Sequence, residues 1–370
     1  MRIAIDCRMS GKSGIGSYFD ALLPHFLQAF ECLLIKSPDA SLPCSIPSDT
    51  AVRECDVPPF SVRELLFFPK ELLAEINSCG AYYTPYCNVP GGIHIPIFTT
   101  IHDIVFLDVK GLASTLGTFV RKRFYLRAVK KSAVVFTVSN FSARRIRQKL
   151  HCRKKIVVTY NAAPDYFSVQ TDAQEKTSEE QKLPHSVLFV GNIKRHKGLT
   201  VLLDAFRTVR AALTDAQLII VGNAEHFRTG DTSVLSKISA FPENSVRFTG
   251  KISNEELKSW YKKAAVLVQP SFYEGFGMPP LEALSCGANA VISDIPVFRE
   301  IYNGFPVTFF RTGDSADLAE KIQSAMTLPE VKSVPDVYSF NRTFRIIEET
   351  ICPILTGTEQ FPPEYLQETI

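Results

Sequence analysis

The chain has 370 residues, 45% of them hydrophobic and 21% charged, which is ample for packed interiors and long for a single core, so two domains are expected. Its 41 basic and 38 acidic side chains leave a net charge of +3, which builds in no bulk attraction to nucleic acid.

Taken in chain order, "RIAID" reads as a strand, "GSYFDALLPHFLQAF" as a helix and "CLLIK" as a strand. "AYYTP", "IPIFTTIHD", "AVVFTVS" and "KIVVTY" follow, with helical patterns between most of them. Short apolar β-branched runs separated by helices predict a parallel sheet covered on both faces. Residues 40–80 give no clear pattern. Residues 169–186, "VQTDAQEKTSEEQKLPHS", are polar and aperiodic and read as a linker. The alternation then restarts with "SVLFVG", "QLIIVG", "SVRFTG", "AAVLVQP" and "ANAVIS". Three of these strands end in glycine, at Gly191, Gly222 and Gly250, as a doubly wound sheet does where a ligand approaches its carboxyl edge. Ser253 and Glu256 form a capping-box pattern that fixes one helix start. The tail after residue 339 reads as helix and then, through "FPPEYLQ", as irregular chain.

The organisation expected is therefore α/β: a domain over 1–168, a linker over 169–186 and a domain over 187–338, with a ligand cleft between the sheet edges. The nine cysteines show no CxxC pair and no metal-ligand spacing, and read as reduced thiols of a cytoplasmic protein. No apolar run has the length of a membrane span, and "MRIAID" reads as a strand, not a signal peptide.

Three segments carry chemistry. "GKSGIGSYF" fails as a Walker A loop, because Asp6 stands where its first glycine belongs. It fails as a dinucleotide fingerprint because of Phe19. What remains is a loop opening on a helix, where Gly14 and Gly16 would let backbone N–H groups approach an anion, or an ordinary strand–helix turn. "VGNIKRHKGL" crowds Lys194, Arg195, His196 and Lys197 between a strand and a helix, an arrangement suited to a diphosphate. "EGFGMPPLE" places Gly275 and Gly277 before Pro279 and Pro280, residues suited to a first helical turn. Glu274 lies in that loop and Glu282 near the helix start, where two carboxylates can accept hydrogen bonds from one polyhydroxylated ligand. No His or Asp partner nearby argues for a metal pair.

"EGFGMPPLEALSCG" resembles the E-x7-E signature of retaining glycosyltransferase family 4 enzymes of the GT-B fold. "IDCRMSGKSGIGSY", "TTIHDIVF", "TVSNFSARRI", "VTYNAAPDYF", "FVGNIKRHKGLTVLLDAF" and "SDIPVFREI" resemble further segments of its mannosyl- and rhamnosyl-transferase members, in order along most of the chain. The resemblance implies two Rossmann-like doubly wound domains, with C-terminal helices from about 339 to 370 packing back on the N-terminal, acceptor-binding domain. It implies that Glu282 holds the ribose, Glu274 the donor-sugar hydroxyls and Lys197 the diphosphate. Gly14 and Gly16 would approach that diphosphate, and Gly191, Gly275, Phe276 and Gly277 would line the donor. His102 would contact the sugar beside the reacting carbon. Many members have arginine where His196 stands, so Arg195 is the candidate second cation. Ala290 stands where many have proline.

The function so implied is retaining, metal-independent transfer of a sugar from GDP-mannose or a UDP-sugar to a glycan or lipid-linked saccharide, with no cofactor. A nucleotide-sugar-binding protein without catalysis, or a sugar-nucleotide epimerase, is the alternative. Finally, "FVRKRFYLRAVKK" sets Arg123, Arg127 and Lys130 on one helix strip, which suggests peripheral contact with anionic lipid. A solvated helix covering the sheet is the plainer reading.

Overall fold

The computed structural model describes residues 2–167, 181–222 and 232–358. The chain forms two compact units. The first comprises Met1–Asp108, Ala113–Ala162 and the described residues from Tyr338 onward, and the second Val109–Leu112 and Ala163–Val337.

The first unit is built on seven parallel strands: β1 (Arg2–Asp6), β2 (Glu31–Lys36), β3 (Ala51–Glu54), β4 (Ala81–Thr84), β5 (Ile97–Thr100), β6 (Val134–Thr137) and β7 (Lys155–Val158). Their order is β3-β2-β1-β4-β5-β6-β7. The chain builds outward from β1 through β2 and β3, then returns to the other side of β1 with β4. Buried on both faces, β4 and β6 are apolar up to a final threonine, and β5 pairs two apolar residues with two buried threonines. Residues 40–80, unread from sequence, supply β3 and the helices Val62–Leu66 and Lys70–Asn77.

The helix Ser13–Ala29 starts three residues before the expected "GSYFDALLPHFLQAF" and so takes in Gly14 as well as Gly16. The Gly16 N–H donates to the Lys12 carbonyl at 3.1 Å, and a Cβ there would lie 2.4 Å from the Met9 carbonyl oxygen. The helix Phe340–Leu355 packs on this same helix: Phe344 stacks on His25 with ring centres 5.5 Å apart and meets Phe26 edge-on at 5.0 Å.

Six parallel strands form the second unit: β8 (Leu183–Val190), β9 (Gln217–Val221), β10 (Val246–Gly250), β11 (Ala264–Gln269), β12 (Asn289–Ser293) and β13 (Val307–Phe310), ordered β10-β9-β8-β11-β12-β13. β8 begins inside the segment expected as linker, whose residues 169–180 lie outside the described residues, as does the irregular tail expected at "FPPEYLQ". Ser253 and Glu256 close the capping box of the helix Asn254–Lys263. In both sheets the strand order reverses beside the first strand, between β1 and β4 and between β8 and β11. Ligands of doubly wound sheets collect at such points, outside the carboxyl ends of the strands.

At the reversal of the first sheet lies a buried ionic network that sequence patterns did not reveal. Arg8 is fully buried and donates to Asp6 through Nε (2.9 Å) and through its terminal nitrogen (2.6 Å), and also to Glu64. Further bonds run to the Val57 carbonyl and to Tyr86. Tyr82 and Tyr86 donate to Asp6 at 2.8 and 2.7 Å, and Asn88 donates to Glu64. Burial pushes the Asp6 carboxyl up, but the Arg8 charge and the hydrogen bonds from Arg8, Tyr86 and Tyr82 together outweigh it and hold the pKa below the ordinary value. At Glu64 burial prevails and the pKa is raised. Removing the shared cation strands two buried acids, so Arg8→Met is expected to cost roughly 3–5 kcal/mol in urea unfolding of the first unit. Glu64→Gln, which keeps the shape and removes an acid already biased to neutrality, should cost clearly less. Equal costs for the two substitutions would contradict this picture.

Candidate functional site

The second sheet's reversal brings together the turns after β8 and β11. β8 passes through Gly191 into the short 3-10 turn Arg195–Lys197, and Gly198 then starts the helix Leu199–Ala212. β11 ends at Gln269, and residues 270–277 lead to the helix Met278–Ser285. The two turns are stitched at the backbone: Phe272 N–H donates to the His196 carbonyl at 2.7 Å. Gly198 has a φ of +70°, and a Cβ on it would sit 1.9 Å from the Pro270 carbonyl oxygen, so only glycine permits the approach.

That closeness pairs Lys197 with Glu274. The Lys197 Nζ lies 2.7 Å from Oε1 and 2.8 Å from Oε2. Glu274 is buried and also accepts from Ser271 Oγ at 2.7 Å and Gln269 Nε2 at 3.1 Å. Burial alone would raise its pKa; the Lys197 charge, with the bonds from Lys197 and Ser271, holds it below the ordinary value. Glu282 shows the opposite balance. It is buried on the helix Met278–Ser285, where burial pushes its pKa up to about 7 against a 2.7 Å bond from the Tyr261 hydroxyl. Eight residues apart, one carboxylate is fixed as an anion and the other stands near its titration point at neutral pH.

The same patch holds buried polar atoms without a hydrogen-bond partner, His196 Nδ1 and Gln269 Oε1. Such orphans call for an explanation, and a ligand's donors supply one. Burial and the neighbouring lysine charges lower the His196 pKa to about 4, so its ring is neutral and adds no cation. Arg195 is exposed at the start of its turn. The helix start after Gly277 offers an anion less than a regular one does. Pro279 and Pro280 have no N–H, and the Leu281 N–H donates to the Tyr302 hydroxyl at 3.1 Å, which in turn bonds the Gly277 carbonyl. Gly277, with a φ of +84°, admits no side chain, since a Cβ would lie 2.4 Å from the Phe298 ring. Gly275 and Phe276 are buried beside it.

The second unit thus gathers Lys197, Glu274, Gly275, Phe276, Gly277 and Glu282 on the loop and helix after β11 and the turn after β8. His102, Gly14 and Gly16 belong to the first unit. His102 follows β5, its Nε2 lies 2.9 Å from the Pro85 carbonyl oxygen, and its ring meets Tyr18 edge-on with centres 4.7 Å apart. The carbonyl accepts, so Nε2 carries the proton and Nδ1 is the acceptor; burial lowers the pKa to about 4, and the ring is neutral. Sequence reasoning missed Gln269, Ser271, Tyr261 and Tyr302, which orient the two glutamates and the helix start. The one signal for them is the glutamine that ends the otherwise apolar β11.

Residues 170–338 match the family model described as glycosyl transferases group 1. Over 227 residues, 60% of this chain and 58% of the relative, the sequence is 26% identical to O-antigen chain mannosyltransferase B of Escherichia coli. Over 225 residues it is 29% identical to O-antigen chain mannosyltransferase RfbU of Salmonella typhimurium, covering 58% of each chain. The matches thus span a little over half the length of these relatives. Among solved structures, Anabaena HepE in complex with UDP and glucose aligns over 99% of this chain and 98% of its own, with a TM-score of 0.64 and 15% identity. A glycosyltransferase from Rickettsia africae aligns over 97% and 99%, with a TM-score of 0.65 and 16% identity. The two Rossmann-like units are therefore those of the GT-B fold, and the second is the part of the chain that is similar to group 1 glycosyl transferases.

Proposed function

We propose that the chain is a retaining glycosyltransferase. It moves a sugar, with mannose from GDP-mannose the first choice over a UDP-sugar, to a hydroxyl of a growing glycan or lipid-linked saccharide, as in cell-surface polysaccharide or lipopolysaccharide synthesis. The observation that carries this reading is the Lys197–Glu274 pair at the strand reversal of the second sheet, with Glu282 one helix turn beyond. Similarity to two O-antigen mannosyltransferases favours mannose. Structural neighbours crystallised with UDP and with UDP-glucose favour a nucleotide-sugar as the donor class.

In this reading the diphosphate becomes the counter-ion of Lys197, with Arg195 as second cation, and Glu274 turns to hydroxyls of the donor sugar. Ionised Glu282 accepts from the ribose hydroxyls. His102 offers sugar hydroxyls a neutral imidazole, not an acid. The bond from the anomeric carbon to the phosphate oxygen breaks, the acceptor oxygen bonds that carbon on the same face, and its proton passes to the departing phosphate oxygen. Lys197 acts most strongly as that oxygen gains charge. No metal is assigned a step.

Calorimetry with GDP tests the carboxylate roles. Glu274→Gln frees Lys197, so GDP affinity should hold or rise while turnover falls. Glu282→Gln should weaken GDP binding by roughly 1–3 kcal/mol at pH 8, where the native carboxylate is ionised. The difference should shrink as pH falls below about 7, because Glu282 takes up the proton that its hydroxyl bonds exclude. The diphosphate's own titration is common to both proteins and cancels. Equal losses of affinity in the two variants would sink the assignment.

Product chemistry tests the reaction class. With GDP-mannose and a mannose-bearing acceptor, activity should persist in excess EDTA, and proton NMR should show an α-linked product. A β-linkage, or loss of activity in EDTA reversed by added divalent metal, would overturn the mechanism.

A further inference from the structure

His102 is pinned on three sides. Its Nε2–H donates to the Pro85 carbonyl at 2.9 Å, and the Ser142 hydroxyl donates to its backbone carbonyl at 2.9 Å. The third support is Tyr18, which meets the imidazole edge-on, with ring centres 4.7 Å apart and planes at 89°. Tyr18 is fully buried on the helix Ser13–Ala29 and is itself wedged. The Phe340 ring lies 6.1 Å from its own, and its hydroxyl is buried among those of Tyr83, Thr100 and Thr159. Tyr83 and Thr100 in turn bond each other at 2.9 Å.

The Pro85 carbonyl is fixed as well. Pro85 follows β4 and precedes Tyr86, whose hydroxyl donates to Asp6 at 2.7 Å and accepts from Arg8 at 2.8 Å. Further along the same loop, Arg127 of the helix Thr115–Lys131 donates to the carbonyls of Val89 (3.1 Å) and Pro90 (3.3 Å). Arg127 therefore turns inward, and the strip of Arg123, Arg127 and Lys130 that the sequence suggested is not one outward face. Through this one loop the buried network around Arg8 reaches the residue that the proposed reaction sets beside the transferred sugar.

The two ring supports do different work. The Pro85 carbonyl keeps the proton on Nε2 and leaves Nδ1 as the acceptor. It does not set the tilt of the ring about that bond; an edge contact does. We propose that Tyr18 is a positioning residue for His102, fixing the plane of the imidazole so that Nδ1 is presented to a hydroxyl of the sugar. The same contact keeps water from the ring. The low pKa of His102 comes from burial, against the Pro85 bond, and the neighbouring acid, Asp103, accepts from the Val105 N–H at 2.9 Å. Loss of Tyr18 would therefore remove orientation and neutrality together. The consequence for turnover rests on the proposed reaction; the hold on the ring does not.

The test compares Tyr18→Phe, which keeps the ring, with Tyr18→Leu, which removes it. Phe26→Leu controls for lost stability: Phe26 is fully buried on the same helix and packs on Tyr83 and Phe344. The imidazole is read by nitrogen-15 NMR of the full chain labelled at histidine, with the His102 signals assigned by their loss in His102→Gln. In the parent and in Tyr18→Phe the Nε2–H tautomer should persist well below neutral pH, because burial holds the pKa to about 4. In Tyr18→Leu water reaches the ring, and the signals should titrate near the ordinary value of about 6.5. Turnover of GDP-mannose in Tyr18→Leu should fall about tenfold or more at alkaline pH, from lost orientation. It should fall further as the pH drops through about 6.5, because the protonated ring no longer accepts. Tyr18→Phe should match the parent, and GDP affinity should hold in every variant, since Lys197, Glu274 and Glu282 belong to the second unit. An unchanged tautomer and titration in Tyr18→Leu would overturn the proposal, as would the same changes in Phe26→Leu. So would a parent chain whose His102 already titrates at the ordinary value, a result that needs no variant to fold. A parent without transfer would refute the proposed function, and the NMR comparison would still decide the hold of Tyr18 on His102.

Discussion

The second unit turns on one ion pair. Lys197 and Glu274 come from turns that leave neighbouring parallel strands 77 positions apart in the chain, and they meet because the strand order reverses between β8 and β11. The pairing needs the Gly198 backbone against Pro270 and the bond from Phe272 to His196, and a side chain at Gly198 would push the turns apart. A lysine whose counter-ion is a buried carboxylate is a stored anion site. In the proposed reading a ligand phosphate takes the carboxylate's place, and hydroxyl donors of the ligand must then offset the burial of the released carboxylate.

The two glutamates of the signature show how environment divides labour between identical groups. Glu274 has a cation, a hydroxyl and an amide at hydrogen-bond distance and stays ionised despite its burial. Glu282 has one phenol and an apolar surround, and burial prevails. Tyr302 braces the helix that carries Glu282, closing the gap that two prolines leave in the first-turn bonding.

Much of this was legible in the sequence. Most strands announced themselves as short apolar runs because a parallel sheet is buried on both faces. The glycine–proline start of the helix before Glu282, and the basic turn ending in Lys197, marked the strand ends that matter. Other features were not legible, for physical reasons. Gly16 reads as an opening for an anion, yet it serves a close helix–carbonyl contact that only the fold creates. His196 reads as a cation among cations, but burial neutralises it. Residues 40–80 hide their order because the helix Val62–Leu66 inverts the usual rule, with its acid inward and its apolar side chains outward. No periodicity argument anticipates a carboxylate whose partner, Arg8, is 56 positions away.

The first unit repeats the logic of the second with a different outcome. Its strand reversal also pairs a cation with buried acid, here two carboxylates, but Arg8 is sealed from solvent by Tyr82, Tyr86 and Asn88, whereas Lys197 keeps an edge toward it. The sealed network fixes a loop and an outward apolar helix; the open pair is the one that can exchange partners. The most direct test of this distinction is a crystal structure of the chain with GDP bound. The account requires the diphosphate at hydrogen-bond distance from Lys197 Nζ, Glu274 released from that lysine, and the ribose hydroxyls on Glu282. A nucleotide bound elsewhere, with the Lys197–Glu274 pair intact, would contradict it.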